Sequence, residues 1–298
     1  MTAASSARGP EFLAYGPVHL NVIEADASVE FWRDVVGLRP RGGAGDALEL
    51  GTQDETLLVL HPGATRRAPR GHTGLFHLAL YVPGEAELAR LLARLLARRA
   101  RFGATDHVMA KSLYLSDPSG IGLELALETP QRFGSARLRD GVLEVRDAHG
   151  VPSTGNEPLD LEPVLAALPD QDLERPLPPG TSFGHLHLSV GDLGKSIAFY
   201  RDALGFVLQN DWPPLGMADF HAGMGPLHRL AINVWQGIGL PPAPAGAAGL
   251  RDFTLRYRSV ERLTAALQRL PAADRTDRGY RVRDADGNTI LLTNADAP

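Results

Sequence analysis

Short apolar runs alternate along this chain with amphipathic stretches, and the alternation repeats. Residues 19–38 read HLNVIEADASVEFWRDVVGL and residues 187–206 read HLSVGDLGKSIAFYRDALGF, with eight of twenty aligned positions identical. Each copy predicts a strand followed by an amphipathic helix, with Ser28 or Ser196 near the helix start and Gly37 or Gly205 at its end. A weaker repeat links the segment from Gly74 (GLFHLALYVPGEAELARLLARLL) to the segment from Gly249 (GLRDFTLRYRSVERLTAALQRL), again strand, turn, helix. Each is followed by a strand pair around a tight turn, Asp117-Pro118-Ser119-Gly120 in one and Asp284-Ala285-Asp286-Gly287 in the other.

The pattern therefore predicts four units, each a strand, a helix and about three more strands, with units one and three alike and units two and four alike. Residues 12–127 hold the first pair of units and residues 183–298 the second. Between them, residues 128–182 are rich in Pro, Gly and charge and read as a linker with a short helix near Leu159–Leu168. A low-complexity loop from Gly237 joins units three and four.

Composition narrows the chemistry. The balance of 44% hydrophobic and 22% charged residues is that of an ordinary globular protein. A formal net charge of −5 argues against a nucleic-acid partner, and the basic run Arg98-Arg99-Ala100-Arg101 reads as the solvated face of a helix. No apolar run approaches the roughly 20 residues of a membrane helix. The N-terminus lacks the apolar core of a signal peptide, so a cytoplasmic location is the expectation. There is no cysteine, so any metal must be held by His, Asp or Glu, and ten histidines are available.

Four residues stand out in apolar strands. Glu124 lies in Gly122-Leu123-Glu124-Leu125-Ala126, where strand alternation puts it on the face opposite the two leucines. A carboxylate there either faces water on an edge strand or needs a partner. His77 lies in Leu75-Phe76-His77-Leu78-Ala79-Leu80, and a single such histidine is more often a satisfied core residue than a ligand. His19 and His187 occupy matching places in units one and three, with His185 two residues before His187 on the same face. Two histidines and one carboxylate from different strands make the facial triad of non-haem Fe(II) oxygenases, which leaves three coordination positions open.

The segment from Thr105 to Glu124 resembles the extradiol ring-cleavage dioxygenase signature: His107, then an apolar residue and Tyr114, an Asp117-Pro118 turn with Gly120, then Glu124. The module order, the strand with His77, the segment from Gly184 and the phrase Ala231-Ile232-Asn233-Val234-Trp235 are similar to four-module catechol-2,3-dioxygenase-like proteins of the vicinal oxygen chelate superfamily. That resemblance implies an α+β fold of four βαβββ modules pairing into two open, cup-shaped mixed sheets with helices outside. It implies Glu124 and His77 as metal ligands, and a second histidine that is His19 if units one and two cup together or His187 if units two and three do. His187 is favoured, because several such relatives lack a histidine in the first unit but keep it in the third. It implies His107 as acid/base and Tyr114 as a hydrogen-bond donor to substrate. The cofactor would be Fe(II), or Mn(II), and the partners a small aromatic diol and dioxygen, with a homo-oligomer left open. Where Glu124 and His77 stand in unit two, unit four has Leu291 and Asp252, so one metal site per chain is expected. Only His228 remains of the relatives' histidine cluster in unit three, and it reads as pocket wall. Phe76, Tyr81, Trp212 and Trp235 are aromatic candidates near the pocket but read first as core.

Two other readings compete. A glyoxalase-type isomerase or lyase wants a fourth protein ligand, and neither Thr56–Leu60 nor Ala231–Trp235 carries a carboxylate. A non-catalytic binding or resistance protein would use the cup and do no chemistry.

Overall fold

The computed structural model describes residues 11–223 and 228–294. Unit one supplies β1 (Leu13–Val22), α1 (Ala25–Glu30), β2 (Arg39–Gly42), β3 (Leu48–Gly51) and β4 (Thr56–Pro62). Unit two supplies β5 (Gly74–Tyr81), α2 (Glu85–Ala97), β6 (Gly103–Asp106), β7 (Ala110–Ser116) and β8 (Gly122–Glu128). The intervening segment holds β9 (Phe133–Arg139), β10 (Val142–Asp147), β11 (Pro152–Ser153), β12 (Glu157–Pro158) and α3 (Leu161–Leu165). Unit three runs through β13 (Ser182–Ser189), α4 (Leu193–Ala198), β14 (Val207–Trp212), β15 (Met217–His221) and β16 (Leu230–Asn233). Unit four closes with β17 (Gly249–Tyr257), α5 (Val260–Arg269), β18 (Asp274–Thr276), β19 (Gly279–Arg283) and β20 (Thr289–Asn294). The four βαβββ units thus form as the repeats predict. No helix among the described residues is long and apolar enough to cross a membrane.

The units do not pair within the sequence halves. One mixed sheet has the order β12-β6-β7-β8-β5-β13-β16-β15-β14 and so joins units two and three. The other, β18-β19-β20-β17-β1-β4-β3-β2, joins units four and one. The first strand of each unit makes the junction: β5 runs antiparallel to β13, and β1 antiparallel to β17. A strand left unpaired here would present a row of bare N–H and C=O groups at the centre of the molecule.

Residues 128–182 are more than a linker. β9, β10 and β11 make a small antiparallel sheet, and β12 extends the sheet of units two and three by pairing with β6. α3 forms inside the span expected to be helical. The segment is strapped down by the buried Arg94 of α2, whose guanidinium donates to the carbonyls of Leu173 and Arg175 at 2.6 Å each and of Val36 at 2.9 Å.

Helix ends follow the expectation at both termini. α1 and α4 each run on into a π-helical turn, Phe31–Val36 and Phe199–Ala203, after which Gly37 (φ 97°) and Gly205 (φ 83°) take the left-handed conformation that ends a helix cheaply only for glycine. Ser28 and Ser196 stand in the opening turn of α1 and α4, as expected. Both are buried, and Asp192 caps α4 by accepting from the Lys195 N–H at 3.0 Å.

Strand alternation separates core from cup. Leu78 and Leu80 of β5, Leu123 and Leu125 of β8, and Leu186 and Leu188 of β13 share one buried cluster with Leu88, Leu91 and Leu92 of α2. Residues of opposite parity on the same strands face the hollow of the sheet.

The Asp117–Gly120 turn carries β7 into β8. The Gly120 N–H donates to the Asp117 carbonyl at 3.0 Å, and the Ile121 N–H to Asp117 Oδ1 at 2.8 Å. Burial pushes the Asp117 carboxyl up to about 6, partly offset by backbone hydrogen bonds from Ile121 and Ser119. The folded state therefore holds this proton more tightly than the unfolded chain. Its contribution to stability is present below the carboxyl's ordinary range and is lost as pH rises toward 6. Asp117→Asn should remove that loss, on the order of 2–3 kcal/mol between pH 4 and pH 7. Urea midpoints of both proteins across this range will check it; parallel pH profiles would refute it.

Candidate metal centre

Three adjacent strands bring the candidate ligands together. In the parallel β5–β8 ladder Ala79 lies opposite Glu124, and in the antiparallel β5–β13 ladder it lies opposite His185. His77 is two residues from Ala79 and shares its face. The result is a group of His77, Glu124 and His185, all buried.

The three ligand atoms form a nearly equilateral triangle. His77 Nε2 is 3.2 Å from His185 Nε2, and each lies close to Glu124 Oε2, at 3.1 and 3.2 Å. Such edges match three mutually cis ligands around one six-coordinate ion with bonds of about 2.2 Å. The electrostatics ask for a cation. Burial alone would push the Glu124 carboxyl up, but the imidazoles of His185 and His77 outweigh it and hold it well below the usual carboxylate range. Burial also lowers His185, which favours neutral imidazole, the form that binds metal. The Ser112 hydroxyl donates to Glu124 Oε1 at 2.6 Å. One such bond returns about 1.5–3 kcal/mol, against several for desolvating a carboxylate. The donor set therefore fits a divalent metal.

His185 is oriented from behind. Its Nδ1 lies 2.7 Å from the Tyr81 hydroxyl, so Nε2 is left for the centre of the cup. The Tyr81 ring lies over Gly184, where a Cβ would come within 2.5–2.7 Å of ring carbons.

Two of the expected ligands are elsewhere. His187, on the same face as His185, has its Nε2 engaged by the Asn233 side-chain amide at 2.8 Å. The Trp235 backbone N–H donates to Asn233 Oδ1 at 3.1 Å, which turns the amide Nδ2 toward His187. The His187 Nε2 lone pair is thereby taken, and its ring stands beside that of His77, centroids 4.9 Å apart. His19 belongs to the other sheet, opposite Asp252, with Nδ1 2.8 Å from His61 Nε2. It is part of a different cup because unit one pairs with unit four.

His107 and Tyr114 meet at the edge of the triangle. His107 Nδ1 lies 2.7 Å from the Gly155 carbonyl and must donate to it, so Nε2 accepts from the Tyr114 hydroxyl at 2.9 Å. Burial, then the nearby Glu124 charge, raise Tyr114 well above its ordinary range, so the phenol stays protonated. Next to His107, Val108 is held at φ 66°, strained for a β-branched residue, by the Asp106 carboxylate on its N–H and Thr129 on its carbonyl. The Gly155 carbonyl is a partner of His107 that sequence reasoning misses, because a backbone carbonyl leaves no signature.

An aromatic wall flanks the other side. Phe76, His187 and Trp235 have ring centroids 5.1–5.5 Å apart, and Phe76 is also 5.5 Å from His77. Trp235 is half exposed, so it is wall and not core. His228 packs its ring 4.4 Å from that of His185, as a pocket-wall residue would. Pro226 and Leu227 beside it fall outside the described residues. A cavity of about 570 Å³ opens at the start of β5 and β8, lined by Phe76, Gly122, Ile121 and Gln236 among others. None of the three ligand candidates lines it, yet Phe76 and Gly122 are their close neighbours.

Gly184→Ala should force the Tyr81 ring aside and cost about 1–3 kcal/mol of stability. Chemical denaturation will measure this, and an unchanged midpoint would show that the ring has room to move.

The profile of the glyoxalase/bleomycin resistance protein/dioxygenase superfamily matches residues 14–125 and 182–292. The chain is 31% identical over 276 residues to a catechol-2,3-dioxygenase of Bacillus subtilis (strain 168), covering 90% of this chain and 93% of that one. Among solved structures it resembles a putative dioxygenase of the same organism (TM-score 0.60, 12% identity, covering 97% of this chain and 87% of that one). It also resembles glyoxalase I from Zea mays (TM-score 0.57, 16% identity, covering 95% of this chain and 93% of that one). The two matched segments take in all four units, and the chain belongs to the glyoxalase/bleomycin resistance protein/dioxygenase superfamily.

Proposed function

We propose that this chain is a metal-dependent extradiol dioxygenase that opens the ring of a catechol-type aromatic beside its two hydroxyls. The observation that carries the reading is the triangle of His77, Glu124 and His185, with edges of 3.1–3.2 Å and a hydrogen-bonded His107–Tyr114 pair at its side. The catechol-2,3-dioxygenase of Bacillus subtilis supports it at the level of 31% identity. His77, His185 and Glu124 would hold Fe(II), with Mn(II) accepted by the same ligands. Once bound, the ion supplies Lewis acidity toward the diol and a path for electrons from the ring to dioxygen.

The protein's own groups then divide the remaining work. Three protein ligands leave room for a bidentate diol and dioxygen. A glyoxalase-type site would want a fourth ligand, whereas among the described residues three groups converge. His107, its Nδ1–H pinned to Gly155, accepts from Tyr114 at Nε2, so it can take the Tyr114 proton as Tyr114 takes one from the substrate hydroxyl, and return it later. Tyr114, its one proton given to His107, faces the substrate hydroxyl as an acceptor and donates to the substrate oxygen only when the proton is returned. Phe76 and Trp235 give the ring an apolar edge to pack against. His187, with Nε2 occupied by Asn233, offers its Nδ1–H to whatever enters beside His77.

Anaerobic reconstitution with Fe(II), followed by a catechol panel under oxygen, tests the reading through the colour of ring-opened products. Glu124→Ala and His185→Ala should each lose bound iron and reduce turnover by about a thousandfold or more. His187→Ala should keep its iron and lose only part of the rate. Normal iron content in Glu124→Ala, or loss of iron in His187→Ala but not in His185→Ala, would overturn the ligand assignment.

A further inference from the structure

The second cup repeats the framework of the first with different side chains. Matching the strand orders aligns β1 with β13, β17 with β5, β4 with β16 and β20 with β8. Leu291 then takes the place of Glu124, Asp252 that of His77, His19 that of His187 and His61 that of Asn233. The first-cup triad is lost, but a different polar set has replaced it.

His19 Nδ1 lies 2.8 Å from His61 Nε2, and the two rings stack at 20° with centroids 5.1 Å apart. Asp252 lies directly opposite His19 in the β1–β17 ladder and therefore on the same face. The other face of these strands, with Val18, Leu20, Leu58 and Leu60, is fully buried in the core, so the polar set faces the hollow. His19 is buried and His61 half-buried, which leaves the pair within reach of an ion. Burial, helped by Arg251, lowers His61 to about 4, and burial lowers His19 despite the Asp252 charge. Both imidazoles are therefore neutral at pH 7, with lone pairs to give.

We propose that the second cup binds one divalent transition-metal ion through His19 and His61, with Asp252 supplying a carboxylate oxygen. Ring nitrogens 2.8 Å apart are close to the separation of about 3 Å between cis ligands with bonds of about 2.1 Å. Two imidazoles and one carboxylate, without thiolate, suit Zn(II), Ni(II) or Cu(II) over Mg(II) or Ca(II). Asp252, whose Oδ2 lies 3.9 Å from Arg251 Nε, does not converge with the two imidazoles as it stands, and its carboxylate must swing toward them when the ion binds. The arginines near the cup disfavour a hard cation held by charge alone and leave imidazole donation as the source of affinity. The competing reading is a plain N–H···N hydrogen bond between the two rings.

Metal-free full-length protein titrated with Zn(II) by calorimetry separates the two. Wild type should bind two equivalents, Glu124→Ala one, His61→Ala one, and the double variant none. Equal stoichiometry for wild type and His61→Ala would overturn the second site. If Glu124→Ala kept both equivalents while His61→Ala lost one, the first-cup assignment would fail and the second-cup site would stand. Cu(II) added to His77→Ala/Glu124→Ala/His185→Ala should give an electron paramagnetic resonance spectrum with coupling to two nitrogens, and this should vanish when His61→Gln is added. A spectrum unchanged by His61→Gln would refute the proposal even if His61→Ala proved unstable.

Discussion

The site depends on the antiparallel pairing of β5 with β13. That ladder sets Ala79 opposite His185 and His187 opposite His77, with register shifts on either side of the two histidines. A slip of one residue would turn His185 into the leucine core and leave Glu124 with one imidazole. The leucines on the other face prevent the slip, since all of them would have to leave the core together. Apolar burial on one side of the sheet thus holds polar atoms in place on the other.

The same arrangement explains how an ionised carboxylate survives in so dry a place. Glu124 faces two imidazoles, a serine hydroxyl and the phenol of Tyr114, and several of the rings around it are oriented by neighbours. Tyr81 turns His185, the Gly155 carbonyl turns His107, and Asn233 turns His187. Preorganisation of this kind lets a site hold an ion and a substrate without first paying to arrange its own side chains.

Much of this is legible in the sequence, for identifiable reasons. The alternation around His77 and Glu124 places both on the polar face, and the spacing from His107 through Tyr114 and Gly120 to Glu124 corresponds to a real hairpin, β7 and β8. Repeats reveal that units one and three are alike, but not which unit each will pair with, because pairing is decided by strand edges far apart in the chain. The choice between His185 and His187 is likewise hidden, since the two share a face. It turns on local bulges and on Asn233, forty-six residues beyond His187, taking one of its nitrogens.

Because each cup takes one unit from either half of the chain, the halves are interlocked. Residues 128–182 are then a tether between parts that hold each other through two shared sheets. A nick in the exposed β9–β10 hairpin need not release the halves, whereas either half made alone would present the bare edge of β1 or β5, or of β13 or β17, to its surroundings. Expressed separately, the halves would find one another or aggregate, and a reassembled pair would regain both cups at once.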